Sequence, residues 1–199
     1  MANVKLSIVY YSSTGTNYQL AQWAEAAARD TGAEVKLLKV PELAPDEAID
    51  SNPAWRKHVV ETGNIPEATS EDLEWADAII FSVPTRFGVM AAQMKQFIDM
   101  QGGLWGAGKT VNKVVSAMSS AQNPHGGQEA TILSLYTTMC HWGAIIVPPG
   151  YADESIFKAG GNPYGVSVTA GDNGIVEDAE AAVKFQAKRT VEIAGKINK

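Results

Sequence analysis

The stretch SIVYYSSTGTN at residues 7–17 joins an apolar run to a cluster of hydroxyl and amide residues. YQLAQWAEAAA follows at 18–28, with apolar residues at helical spacing. A buried strand that leads directly into an amphipathic helix is typical of a parallel α/β sheet. A plain turn needs only a glycine and one polar residue, so residues 12–17, here termed loop one, are predicted to hold a polar ligand.

Four further segments have the short, apolar and mostly β-branched character of strands that are covered on both faces. The five predicted strands are 4–11, 34–40, 77–83, 113–119 and 143–149, and the predicted helices are 17–30, 91–100, 127–142 and 176–197. This alternation predicts a doubly wound α/β fold, in which helices cover both faces of a five-stranded parallel sheet. A chain of 199 residues suits one sizeable core, so we expect residues 1–199 to form a single domain.

Two segments interrupt the alternation. Residues 41–76 contain four prolines, and we expect one or two short helices and an extended loop there, without a sixth strand. Residues 150–175 are glycine-rich and are predicted to be a long loop after the fifth strand. Loops of that length commonly serve a binding site or an interface.

The bulk composition limits the classes of partner. The formal charge is −6, which disfavours a nucleic-acid partner because such a partner requires a clustered positive face. A single cysteine, Cys140, excludes an internal disulfide and fits a reducing compartment, and we expect it to be a small buried residue. We expect no signal peptide and no integral membrane segment, since no apolar run approaches the roughly 20 residues that span a bilayer. The predicted location is cytoplasmic.

Loop one lies where a strand ends and a helix begins, which is where open parallel sheets bind ligands. A helix N-terminus offers free N–H groups and a positive dipole end to an anion, and hydroxyls add neutral donors. Loop one contains neither a Gly-Lys-Ser/Thr sequence nor a G-x-G-x-x-G fingerprint, so it is neither of these two nucleotide motifs. Taken alone, loop one is equally compatible with helix capping by serine and threonine.

Two more loops favour a ligand over capping. PTRFG at 84–88 follows the third predicted strand, and SAQNPHGG at 120–127 follows the fourth. The carboxyl ends of parallel strands meet at one edge of a sheet, so the three loops are expected to lie together. Their small polar groups, with one aromatic ring and one guanidinium, fit a phosphorylated aromatic ring whose phosphate lies on loop one.

The chain resembles flavodoxin-like FMN proteins, and more closely the WrbA-type NAD(P)H:quinone oxidoreductases. The stretches that carry the resemblance are YYSSTG (10–15), PTRFG (84–88), QMKQFID (93–99), GGLWGAGK (102–109), GGQE (126–129), HWGAIIVPPGY (141–151) and GGNPYG (160–165). They cover essentially the whole chain, and PTRFG followed by GGLW is the most specific part. The resemblance implies a sheet order of 2-1-3-4-5 and an FMN-bound homotetramer that transfers two electrons from NADH or NADPH to a quinone.

The resemblance also assigns site residues. Loop one would hold the FMN phosphate, PTRFG would contact the ribityl chain and the ring, and residues 120–125 would line the ring's other edge. His141 would contact the flavin across a subunit boundary, and Trp105, in a predicted loop, would form a wall of the substrate pocket. No metal site is expected, because the flavin carries the chemistry. The implied cofactor-binding residues are Ser12, Ser13, Thr14, Gly15, Thr16, Asn17, Pro84, Thr85, Arg86, Phe87, Gly88, Ser120, Ala121, Gln122, Asn123, Pro124, His125 and His141.

The chain departs from the family pattern at Thr14, where the family often has a tyrosine that serves the nicotinamide. Trp142 stands where a second histidine is common, and loop 120–127 is one residue longer than usual. A weak nicotinamide site is therefore expected. Two other functions stay open at this point: a one-electron carrier of the flavodoxin type, and a regulatory binding protein without enzymatic activity.

Overall fold

The computed structural model describes residues 3–172 and 174–197. The strands are β1 (Lys5–Tyr10), β2 (Glu34–Lys39), β3 (Ala78–Arg86), β4 (Val89–Met90), β5 (Val114–Ala121), β6 (Ile145–Ile146), β7 (Ser167–Gly171) and β8 (Gly174–Ile175). The helices are α1 (Thr16–Arg29), α2 (Asp46–Asp50), α3 (Pro53–Glu61), α4 (Ser70–Trp75), α5 (Ala92–Asp99), α6 (Gly102–Gly106), α7 (Gln128–His141), α8 (Ser155–Lys158) and α9 (Glu180–Ile197). None of the helices in these described ranges is both long and apolar enough to cross a bilayer.

The strands form one sheet in the order β2-β1-β3-β5-β7-β8, in which β4 pairs with β3 and β6 pairs with β5. All pairs among β1, β2, β3, β5, β6 and β7 are parallel, whereas the two-residue strands β4 and β8 pair antiparallel. The first four predicted strands are present, and their order agrees with the predicted one. The prediction of a flavodoxin-like α/β fold is confirmed.

The prediction of one fifth strand at 143–149 is wrong. Only Ile145–Ile146 pair with β5, and the carboxyl end of β5 pairs instead with β7. The ladder stops because Pro148 and Pro149 have no N–H groups to donate, and Val147 makes the last backbone hydrogen bond, to Val115. The fifth position is therefore shared by β6 and β7, and residues 3–172 and 174–197 contain eight strands where five were predicted.

Three other segments test the predicted elements. Residues 41–76 form three short helices, α2, α3 and α4, where one or two were predicted, and Glu67 makes an isolated bridge with Lys39. Residues 150–175, predicted as loop, include α8, β7 and β8. GGLWG at 102–106, also predicted as loop, is the helix α6, so Trp105 lies on a helix.

Apolar residues cover both faces of the sheet. Along β1, Leu6, Ile8 and Tyr10 belong to the core under α1 and α9, whereas Val9 belongs to the core under α5 and α7. This double coverage explains the nearly continuous apolar strands. Cys140 lies off the buried stripe of α7 and is exposed, so the prediction that it is buried is wrong.

Candidate functional site

Loop one is tied to the neighbouring strand ends by a buried asparagine. The Asn17 side chain is 1% exposed, and its Nδ2 donates to Ser82 Oγ at 3.1 Å. Its Oδ1 accepts from Ser120 Oγ at 2.5 Å, and Ser82 Oγ donates to the Asn17 carbonyl oxygen at 2.9 Å. Two predicted site residues, Asn17 and Ser120, therefore use their side chains to join the start of α1 to β3 and β5. The group that Asn17 leaves for a ligand is its backbone N–H.

The N-terminus of α1 has no side-chain cap. The capping position is Gly15, with φ 102°, a left-handed conformation that glycine adopts without strain. The Ser12 hydroxyl accepts from the Gly15 N–H at 3.0 Å and shapes the turn. The first N–H groups of a helix have no intrahelical acceptor. Helix capping by Ser and Thr, the alternative to ligand binding, is thus not what loop one does, and backbone donors remain available to an anion.

PTRFG lies against loop one and presents an aromatic ring. The Arg86 guanidinium donates to Ser13 Oγ at 3.2 Å and to the Thr85 carbonyl oxygen at 2.9 Å, which places a cation beside loop one. Phe87 has φ 53° and is 105% exposed, so its backbone is in a sparsely populated conformation and its ring has no cover. Strained, exposed residues of this kind cluster at ligand sites.

Loop 120–127 packs directly against PTRFG. A Cβ on Gly127 would lie 2.8 Å from the Gly88 Cα, so the two loops meet backbone to backbone. The Thr131 hydroxyl donates to Thr85 Oγ1 at 2.8 Å and joins the same loops. Asn123 Oδ1 accepts from the His125 N–H at 3.0 Å, which orders the tip of loop 120–127. The exposed members of this tip are Gln122, Asn123, Pro124 and His125.

Trp105 and His141 lie at the opposite edge of the sheet. Trp105 Nε1 donates to the His141 carbonyl oxygen at 2.9 Å, so these two residues are neighbours. His141 ends the 14-residue helix α7, which starts beside loop 120–127. At 1.5 Å per residue the helix separates its two ends by about 20 Å. A single chain therefore does not bring Trp105 and His141 to loop one.

Two cavities adjoin loop one. A cavity of about 490 Å³ lies between loop one, α1 and the start of α9, and its lining includes Thr14, Trp23 and Glu177. A second cavity of about 180 Å³ lies on the β2 side of loop one, and Tyr10, Ser12 and His58 are among the residues that line it.

Glu42 lies at the edge of the candidate site and was not predicted from the sequence. Its carboxylate accepts from Tyr11 Oη at 3.0 Å, Trp55 Nε1 at 3.1 Å and Gln93 Nε2 at 2.7 Å. Burial alone would raise the pKa of Glu42, but these bonds and those from the backbone N–H groups of residues 43 and 44 hold it below its usual value. A signal was available, because a carboxylate directly after strand two lies at the edge that carries loop one.

Comparison with known proteins identifies the family. The model of the family "NADPH-dependent FMN reductase" matches residues 6–157. The chain belongs to this FMN reductase family. A family member from Deinococcus radiodurans, named NAD(P)H dehydrogenase (quinone), is 56% identical over 98% of both chains. A second relative of that name, from Aromatoleum aromaticum, is 41% identical over 96% of both chains.

Comparison with solved structures shows that this chain has the same fold as flavodoxins. A WrbA-like flavodoxin from Agrobacterium tumefaciens matches with a TM-score of 0.67 and 20% identity, over 97% of this chain and 98% of that one. A flavodoxin from the domain Archaea matches with a TM-score of 0.60 and 14% identity, over 98% of this chain and 99% of that one. The predicted resemblance to WrbA-type flavodoxin-like proteins is confirmed.

Proposed function

We propose that the protein is an FMN-dependent NAD(P)H dehydrogenase (quinone), which transfers two electrons from NADH or NADPH to a quinone. The observation that carries the proposal is the uncapped N-terminus of α1, set in a loop of hydroxyls at the edge where PTRFG and loop 120–127 meet. The names of the relatives agree with it. The residues assigned above to FMN are part of the proposal.

The residues present fit FMN. Backbone N–H groups of the first turn of α1 and the hydroxyls of Ser13, Thr14 and Thr16 offer neutral donors to a phosphate. Arg86 adds one cation beside them, through its bond to Ser13. The exposed Phe87 ring and the wall formed by Gly88 and Gly127 offer flat surfaces to an aromatic ring system.

Bound FMN supplies the two-electron hydride chemistry, so the side chains need no acid–base pair. The three loops would hold the ring at the open edge of the sheet, where planar substrates could approach it. The nicotinamide and the quinone then bind in turn at the same place, and the kinetics are ping-pong.

The assembly proposed is a homotetramer in which a second copy completes each site. Trp105 and His141 are assigned to the site but lie a helix length from loop one, so they reach it from another copy. Trp105 is 57% exposed, and Tyr151 and Phe157 form an exposed stacked pair with ring centroids 5.2 Å apart. Such exposed apolar surface is typical of contacts between subunits.

The proposal also covers the cellular location, the domain organisation and the partners of the protein. We place the protein in the cytoplasm, which the single cysteine supports, and we assign residues 1–199 to one domain because both apolar cores share one sheet. The acidic balance supports small-molecule substrates and no nucleic-acid partner.

The proposal is tested by binding, followed by reduction without oxygen. The protein should bind one FMN per chain and bind riboflavin far more weakly, because loop one serves only the phosphate. Addition of NADH should then bleach the bound flavin, and benzoquinone should restore its colour. Equal dissociation constants for FMN and riboflavin would exclude loop one as a phosphate site, and flavin that NADH does not bleach would favour a one-electron carrier.

A further inference from the structure

His58 lies directly beneath loop one, although it comes from α3, a distant segment of the chain. Its Nδ1 stands 3.7 Å from the place where a Cβ on Gly15 would be. Its ring centroid lies 5.6 Å from that of Tyr18, in the first turn of α1, with the two planes tilted by 55°. The Tyr18 ring in turn lies 5.1 Å from that of Tyr10, tilted by 36°. A column of three rings thus supports the N-terminus of α1 from the side of β2.

The polar groups in this place are incompletely satisfied. His58 is 7% exposed, and no hydrogen bond within residues 3–172 and 174–197 uses a ring nitrogen of His58. The Tyr10 hydroxyl is buried without a hydrogen-bond partner in the same described part of the chain. Both residues line the cavity of about 180 Å³, together with Ser12 of loop one. Buried polar groups are nearly always paired, so the unpartnered Tyr10 hydroxyl, in a cavity that the His58 ring also lines beside loop one, indicates a missing ligand contact.

Burial, more than the neighbouring charges, disfavours the protonated form of His58 when no ligand is bound. Burial is the largest influence and lowers the pKa of His58; Glu61 on the same helix raises it, and Lys39 of β2 lowers it further. The Lys39 Nζ donates to the Thr62 carbonyl oxygen, and Glu42 and Glu67 line the same cavity. The neighbouring phenol groups of Tyr10 and Tyr18 are ordinarily uncharged at neutral pH. An uncharged imidazole beside loop one is therefore available to accept a proton.

We propose that His58 is a further residue of the phosphate site, which takes up a proton when a phosphate dianion binds loop one. The inference rests on the proposed function only in naming FMN as the anion. No covalent bond changes: the dianion binds, one proton moves from solvent to the imidazole, and the resulting cation faces the anion. Loop one contains no lysine, so His58 supplies a positive charge that exists only while the phosphate is present.

The pH dependence follows from the sign of this coupling. An opposite charge nearby favours the charged form, so binding raises the pKa of His58, by about one unit or more for a charge within about 4–6 Å. The contribution of His58 to FMN affinity is complete below its pKa in the free protein. It is lost as the pH rises through its pKa in the complex.

The direct test is an NMR titration of the histidine ring signals of the unmodified protein, without and with FMN. The chain has three histidines, so the signal of His58 can be assigned by substitution. We expect its pKa to rise by about one unit or more on binding. A pKa that stays the same or falls would overturn the proposal.

Matched variants give a second test that does not depend on catalysis. His58→Gln should weaken FMN by up to about tenfold near pH 6 and by less than about twofold near pH 8.5, since a one-unit pKa shift corresponds to a factor of ten. Lys57→Gln removes an exposed cation one residue away and should change affinity little at either pH. Equal losses for His58→Gln at both pH values would show a purely structural role and contradict the proposal.

Inorganic phosphate as the probe separates this inference from the proposed function. If phosphate raises the pKa of His58 but FMN does not bind, the proton-linked anion site stands and the flavin function fails. If FMN binds and NADH reduces it while the pKa of His58 does not move, the inference fails alone. A protein that binds neither probe contradicts both.

Discussion

At the scale of single residues, loop one depends on hydroxyls that already have partners in the chain. Ser13 Oγ accepts from Arg86, and Ser12 Oγ accepts from the Gly15 N–H. Both hydroxyls can still donate to an anion, since a hydroxyl is donor and acceptor at once. The proposed phosphate site is thus held in shape by contacts within the chain.

Ser13→Ala should weaken FMN binding by about 1–2 kcal/mol, because a buried phosphate loses one donor and Arg86 loses its anchor. Riboflavin binding should not change. Titration by flavin fluorescence measures both constants, with Ser51→Ala, which removes an exposed hydroxyl at the end of α2, as the control. An equal loss for FMN and riboflavin would place Ser13 away from the phosphate.

Thr14→Tyr should lower the KM for NADH, since a ring at this position offers stacking area that threonine lacks. Thr14 is exposed at the mouth of the larger cavity, so a bigger side chain has room. FMN affinity should change by less than about 1 kcal/mol because the backbone donors remain. Unchanged NADH kinetics together with weakened FMN would make Thr14 a phosphate ligand only.

The residue-level contacts were partly beyond prediction. The hydroxyl-rich loop, PTRFG and loop 120–127 are local in sequence, and their type indicates their chemistry. The bonds from Asn17 to Ser82 and Ser120 span 65 and 103 residues, so no local pattern encodes them. His58 carries no local signal for the same reason, because α3 reaches loop one only in the folded chain.

At the scale of elements, strands with continuous apolar sequences were predictable, whereas strands that are short or contain few apolar residues were not. β1, β2, β3 and β5 are short apolar runs whose partners cover both faces. β6 is followed closely by a pair of prolines, but the continuous apolar run around it predicts a longer strand. The sequence of β7 is SVTAG, which has too few apolar residues to be recognised as a buried strand. The helix α6 begins with two glycines, which have low helix propensity. Its helical conformation is therefore set by its tertiary environment and not by its local sequence.

Gly127→Ala should destabilise the protein and weaken FMN, because the added Cβ would meet the Gly88 Cα and push PTRFG away from loop 120–127. Gly32→Ala is the matched control, since Gly32 also has positive φ but has no atom within 4 Å of the new Cβ. The control should cost about 1–2 kcal/mol from backbone strain alone. Urea unfolding measures both, and equal losses would show that the contact with Gly88 has no effect.

Glu42→Gln should destabilise the protein by about 1–2 kcal/mol at neutral pH, since hydrogen bonds to a half-exposed charged group weaken together. The pKa of Glu42 is depressed in the folded chain, so its contribution is present above its unfolded pKa and is lost as the pH falls through the folded pKa. The difference between wild type and variant should therefore shrink as the pH falls through the depressed pKa of Glu42. Urea unfolding at several pH values measures it, with the exposed Glu47→Gln as control. A difference that is the same at all pH values would contradict the charge argument.

At the scale of the whole molecule, one chain presents two separate halves of the proposed site. Loop one, PTRFG and loop 120–127 lie at the carboxyl edge, and Trp105 with His141 lies at the other end of α7. Sequence patterns place residues on elements, but the distance between the halves appears only when the sheet is assembled. The proposed tetramer is what makes the two halves adjacent.

Trp105→Ala should impair quinone turnover while leaving FMN affinity within about twofold, because the indole is proposed as a substrate wall supplied by another copy. Lost FMN affinity with normal quinone kinetics in the loaded variant would reverse the assignment of Trp105.

Light scattering at micromolar protein with saturating FMN should show a tetramer for the wild type. A wild-type monomer would contradict the shared site.

Steady-state turnover of NADH with benzoquinone by the FMN-loaded protein tests the central claim most directly. The account predicts turnover far above that of free FMN, with parallel lines in double-reciprocal plots of rate against NADH at several quinone concentrations. Turnover equal to that of free FMN, or lines that intersect, would contradict a flavin site that the two substrates share in turn.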